Sequence, residues 1–161
     1  MQSLTTTLSN MGIIEAVCIS LEKGTVKKAV EQIALQPNRG IEGDAHAGDW
    51  HRQVSILAGE SIDRMRAKMP ELEHGMFAEN IVTRGIELAK LAIGDSVTIG
   101  DGVVLEITQI GKECHSGCAI QVVTGECIMP KEGLFCKVVQ GGTVKPGMEI
   151  VPCGETHSVT E

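Results

Sequence analysis

Three aromatic side chains, Trp50, Phe77 and Phe135, are all that this chain of 161 residues has with which to fill an interior. The core must therefore come from Ile, Val, Leu and Met. The β-branched members of that set are stiff at χ1 and pack well on a pleated surface, so the composition favours short strands. Nineteen glycines supply many tight turns, which suits a β-barrel better than a helical bundle. The length fits one domain with a sizeable core.

The local patterns agree. Residues 12–20 (GIIEAVCIS) are apolar on both faces and read as a central strand. Residues 29–35 read as a second strand, ended by the turn pair Pro37-Asn38. Residues 39–50 (RGIEGDAHAGDW) follow neither period and read as a long loop, after which residues 53–57 resume as a strand. Ile62, Met65 and Met69 recur at helical spacing, predicting a helix from about Glu60 to Met69 that Pro70 stops, with the methionines as core filling. From Asn80 the pattern returns to β. Residues 96–99 and 103–107 alternate around Gly100-Asp101-Gly102 and predict a hairpin. Residues 134–139 and 148–151 read as two more strands, split by the Gly141-Gly142 and Pro146-Gly147 turns. The expected organisation is a polar tail over residues 1–11, one domain over residues 12–152 and a short tail over residues 153–161.

A net charge of −7 argues against non-specific binding to nucleic acid or to an anionic membrane. No apolar run approaches the roughly 20 residues of a membrane span, and the first eleven residues have no secretory pattern; the expectation is a cytoplasmic protein. Six cysteines in that compartment stay reduced and form no disulfide framework. Cys18, Cys136 and Cys153 lie in apolar runs or beside proline and read as small buried hydrophobes.

Three stretches carry chemistry. In residues 43–53 (GDAHAGDWHRQ), glycines let a ligand approach the backbone, and His46, His51, Arg52 and Gln53 offer donors to anionic oxygens. Arginine suits phosphate because its planar fork bonds two oxygens at once. The plainer possibility is a surface loop whose Asp and His residues cap turns. Residues 111–118 (GKECHSGC) follow a strand directly, and Lys112 and His115 flank Cys114 with the positive field that lowers a thiol from its usual pKa of about 8.5. Such a thiolate can ligate a soft metal, attack an electrophile or carry a sulfane sulfur. Cys114, Cys118 and Cys127, with His115 or His46, could instead close a structural zinc site, although small zinc ribbons usually show two closely spaced cysteine pairs and here there is one. The third stretch, residues 124–133, brings Cys127 and Lys131 beside a Pro–Gly turn, and a plain strand connection is its simpler reading. A cysteine hydrolase lacks support, because no glycine-flanked nucleophile elbow is present.

Taken together, four segments resemble the MOSC family, named for the carboxy-terminal domain of molybdenum-cofactor sulfurases: GIEGDAHAGDWHRQVSIL (residues 40–57), FAENIVTRGI (77–86), LAIGDSVTIGDGVVLEITQIGKECHSGCAI (91–120) and CIMPKEGLFCKVVQGGTVKPGMEI (127–150). The resemblance is to the short stand-alone bacterial branch and covers nearly the whole chain. It implies a mainly β, distorted mixed barrel with a few short helices, and a link to the molybdenum cofactor (molybdopterin). It points to Cys114, or alternatively Cys118, as a molybdenum ligand or sulfur carrier tuned by Lys112 and His115. The chemistry of the histidine–arginine loop, more than any matched motif, suits it to hold the pterin phosphate or another anion, with Asn80 and Lys131 as further cofactor contacts. Because no desulfurase domain and no iron–sulfur pattern are present, pyridoxal phosphate would belong to a cysteine-desulfurase or molybdopterin-biosynthesis partner, and electrons to a separate donor; an oligomer is compatible with this. The competing expectation is a non-catalytic accessory module of cofactor synthesis with structural, zinc-binding cysteines.

Overall fold

The computed structural model describes residues 10–22, 26–111 and 128–153. Eleven strands appear in it: β1 (Gly12–Ile19), β2 (Lys28–Val30), β3 (Ile33–Gln36), β4 (Gly40–Ile41), β5 (Val54–Ala58), β6 (Ile81–Arg84), β7 (Ser96–Ile99), β8 (Val103–Ile110), β9 (Leu134–Gln140), β10 (Gly142–Val144) and β11 (Glu149–Pro152). Helix α1 (Gly59–Arg66) follows β5, and a single helical turn, Met129–Glu132, precedes β9.

Seven strands close a barrel in the order β11-β7-β8-β9-β5-β6-β1, and the ring is sealed by Gly12↔Ile150 and Ile13↔Glu149 between β1 and β11. Strand β2 extends the sheet from β1, and β10, β3 and β4 form a separate three-stranded sheet. Of the seven junctions in the ring, six are antiparallel, while β5 and β6 run parallel, with Ile56 opposite Ile81 and Leu57 opposite Val82. A parallel pair cannot be joined by a hairpin, and the crossover here contains α1.

Strict alternation sorts the apolar residues into two cores. Ile56, Ile81, Val97, Ile99, Leu105 and Ile107 point into the barrel. Leu57, Val82 and Phe135 point outward and are covered by Ile62, Met65 and Met69 from the α1 region. Strand β1 serves both cores. A bulge between Ile14 and Ala16 shifts its phase, so that Ile14 and Val17 face the barrel while Ala16 and Cys18 face the outer core. That is the physical origin of its two apolar faces. A fully buried aliphatic side chain is worth about 1.5–3 kcal/mol, so many of them hold the barrel in a chain with one tryptophan, two phenylalanines and no tyrosine.

The structure corrects several boundaries. The strand expected over residues 29–35 is two strands: β2 pairs with β1, β3 pairs with β10 and β4, and exposed Glu31 and Gln32 turn the corner between sheets. The loop begins with β4, because Gly40 and Ile41 fold back on Gln36 and Leu35 around the Pro37-Asn38 turn. Gly142 opens β10 and so belongs to a strand. Helix α1 ends at Arg66, three residues before Met69, although the backbone N–H of Met69 still donates to the Met65 carbonyl at 3.1 Å.

Candidate functional site

Residues 43–53 lie against the outside of the barrel and are held there by their own polar groups. Asp44 Oδ1 accepts the Ser20 N–H at 3.1 Å, and the Ala45 N–H donates to the Ser20 carbonyl at 2.7 Å, docking the loop on the end of β1. Asp44 Oδ2 accepts the His46 N–H at 3.1 Å, an aspartate turn. Beneath them sits Lys27, whose side chain is fully buried: its Nζ is 2.8 Å from Asp44 Oδ1, 3.0 Å from His46 Nδ1 and 3.4 Å from Ser20 Oγ. Burial pushes the Asp44 carboxyl up, but the hydrogen bond and positive charge of Lys27, with the Ser20 backbone N–H, outweigh that and hold it well below the usual range.

Above this network runs a stack of flat groups. His46 lies parallel to Trp50, with ring centroids 6.3 Å apart and planes inclined by 12°. The Arg52 guanidinium is 4.7 Å from the Trp50 ring and 5.6 Å from the Phe135 ring. Aromatic faces orient an arginine and contribute about 0.5–2 kcal/mol each, but they satisfy none of its N–H groups. Among the described residues the buried Arg52 Nε has no hydrogen-bond partner. An unmet buried donor costs about 1–3 kcal/mol, comparable to the ring contacts, so the geometry calls for an acceptor.

Beside Arg52, His51 Nε2 is 2.8 Å from Gln109 Oε1, the Thr108 hydroxyl donates to the His51 carbonyl, and Gln109 Nε2 donates to the Gly111 carbonyl at 2.7 Å. The loop is thereby tied to the end of β8. Gly111 has φ +72°, and a side chain there would meet the Pro130 carbonyl at 2.1 Å, so the two backbones approach more closely than any other residue allows. At this end of the barrel, Ile110, Leu134, Leu88 and Ile86 line a cavity of about 420 Å³ with Lys131 and Glu132 among its polar residues.

A family model described as the MOSC domain matches residues 43–151, from this loop to β11. The chain belongs to the MOSC domain family. Solved structures place it in the same fold: the YuaD protein of Bacillus subtilis superposes with a TM-score of 0.73 at 21% identity, over 88% of this chain and 95% of that one. YiiM of Escherichia coli matches with a TM-score of 0.60 at 18% identity, over 87% and 69% of the two chains, and YiiM of Geobacillus stearothermophilus with 0.60 at 18%, over 88% and 74%. No curated protein matches the chain.

Within this MOSC domain, His46, His51 and Arg52 gather on one loop as the sequence suggests. Gln53 and Asn80 are buried, and their side chains bond the protein. Gln53 Nε2 donates to the Gly48 carbonyl at 3.0 Å, and its Oε1 accepts the Val138 N–H at 2.9 Å. Asn80 Oδ1 accepts from the Ser55 N–H at 3.0 Å, and its Nδ2 donates to the Cys18 carbonyl at 3.0 Å. Lys131 is exposed on its helical turn. Lys112, Cys114, His115, Cys118 and Cys127 lie outside the described residues. Cys18 and Cys136 are fully buried and Cys153 is partly so; burial raises the Cys18 thiol to about 12 and the Cys136 thiol likewise upward, which suits packing and not reactivity. Among the described residues no three His, Cys, Asp or Glu side chains are grouped to hold a metal ion, and no helix is long and apolar enough to cross a membrane.

Sequence reasoning missed Lys27, Gln109 and the part played by Trp50. Lys27 stands in a polar run beside Lys28, and nothing local separates the buried one from the exposed one. A signal for Trp50 was available: a lone tryptophan between two histidines and an arginine is an aromatic plate among cations.

Proposed function

We propose that this MOSC domain binds the molybdenum cofactor, taking the anionic phosphate of the pterin on the loop of residues 43–53 and offering the Cys114 thiolate to the reacting centre. The orphaned Nε of Arg52 carries the reading, because it asks for an acceptor oxygen at a group oriented by Trp50 and Phe135. Support also comes from chain order: His51 is bonded to Gln109, two residues before Gly111, and Cys114 stands three residues beyond Gly111. Three extended residues span at most about 11 Å, within the reach of a small cofactor.

In this reading Arg52 and His46 take the phosphate and orient it, while His51, whose Nε2–H donates to Gln109, ties the loop to the end of β8. Gln53 and Asn80 keep the loop and its strands in register. When bound, the cofactor supplies redox or sulfur-transfer chemistry at molybdenum. Lys112 and His115 keep the Cys114 sulfur ionised, and the sulfur and electrons come from separate proteins, a desulfurase and a reductase. Lys131, on the cavity wall, meets a second anionic edge of the ligand.

Protein purified from cells that make the cofactor should contain molybdenum and pterin, measured by elemental analysis and pterin fluorescence. Arg52→Ala should lower the pterin load at least tenfold, the scale of losing a charge-assisted pair, and Cys114→Ala should lose the molybdenum. Wild-type protein with no pterin, or a Cys114→Ala variant with its full load, overturns the proposal. A single zinc in its place would favour an accessory module with structural cysteines.

A further inference from the structure

Lys27 and His46 are 19 residues apart in the chain and meet beneath the loop at 3.0 Å. A lysine ammonium has three N–H donors and no acceptor. Its three polar neighbours are Asp44 Oδ1, His46 Nδ1 and Ser20 Oγ, one acceptor for each proton. Nδ1 of His46 is therefore the accepting nitrogen, and the ring hydrogen sits on Nε2. The rest of the residue is held as well. Its backbone N–H is bonded to Asp44, its carbonyl accepts the Trp50 indole N–H at 2.8 Å, and its ring lies parallel to that of Trp50. The side chain is 33% exposed, and no described residue bonds Nε2.

We infer that Lys27 is a positioning residue: it locks His46 into one tautomer, so that the Nε2–H stands outward as a donor to the anionic group taken by the loop. The inference rests on the anion-binding reading above and deepens it. Lys27 does two things there. It neutralises Asp44, whose charge would otherwise repel an anion from the same loop, and it removes the alternative in which Nδ1 carries the hydrogen. It also takes His46 out of any zinc site, because Nδ1 is occupied and a protonated Nε2 has no lone pair for a metal.

Long-range ¹H–¹⁵N correlation of the imidazoles tests the lock directly, at about pH 8.5, well above the ordinary histidine pKa of about 6.5. The His46 signals, assigned by their loss in His46→Asn, should show a protonated Nε2 and a bare Nδ1. Lys27→Met alone would strand a buried carboxylate and endanger folding, so it is combined with Asp44→Asn. In that double variant the two tautomers should mix. Titration with inorganic phosphate, read by emission of Trp50, the single tryptophan, should show roughly tenfold weaker binding than wild type, as the loss of one aligned hydrogen bond to a charged group predicts. A wild-type Nδ1–H tautomer, or an unchanged tautomer in the double variant, overturns the lock. Wild-type protein that holds the tautomer but shows no response to phosphate overturns the anion reading alone.

Discussion

Lys27 and Lys28 are chemically identical neighbours, yet one is buried at 1% exposure and the other is exposed. The difference comes from Asp44, 17 positions away, which reaches Lys27 only once β1 and the loop have met. Residue-scale facts of this kind are illegible in a single sequence because the deciding partner is distant along the chain. His46, His51 and Arg52 were legible, since their residue types announce what they can bond. The buried pair has a pH signature. An unfolded aspartate titrates near 3.9, and Asp44 is held lower in the folded protein, so its contribution is fully present above about pH 4 and fades as pH falls below it. At pH 7, Asp44→Asn should cost about 3–5 kcal/mol by leaving Lys27 unpaired, and the gap from wild type should narrow below about pH 4. Urea unfolding across that range measures both; a gap that stays constant would remove Asp44 from the acid response.

At the scale of elements, what local pattern controls was readable and what pairing controls was not. The β7–β8 hairpin follows from alternation and a glycine-rich turn, and the structure pairs Val97 with Leu105 and Ile99 with Val103 as that pattern requires. The division between β2 and β3 depends on which sheet each joins, and two exposed residues carry no mark of it. Asn80 shows how a polar side chain can serve several strands at once. Lying just before β6, it accepts from the Ser55 backbone in β5 and donates to the Cys18 carbonyl in β1. Asn80→Ala leaves both backbone groups buried and unmet. The expected cost is about 2–4 kcal/mol, seen as a lower urea midpoint with an unchanged slope. A shift within experimental error would mean that water or a shifted backbone replaces the amide.

For the whole molecule, the scarcity of rings and the abundance of glycine pointed correctly to a barrel of short strands. The closing contact was beyond reach, because β1 and β11 lie at opposite ends of the domain and meet through two residue pairs. Strand β11 is bonded on both sides, to β1 and to β7, and its Ile150 is fully buried in the barrel core. A chain ended after Val144 should therefore lose the barrel as a unit and show no cooperative transition by calorimetry. A surviving sharp transition would mean that the remaining strands stand without closure.

The one parallel junction, between β5 and β6, is an arithmetical necessity. Going once around a ring, strand direction must return to itself, so reversals come in even numbers, and a ring of seven must contain a neighbour that does not reverse. The domain can thus gain or lose strands by whole hairpins and keep its parity. A single added strand would force the non-reversing seam to vanish or a second to appear, and with it the path of the chain over the outside of the barrel.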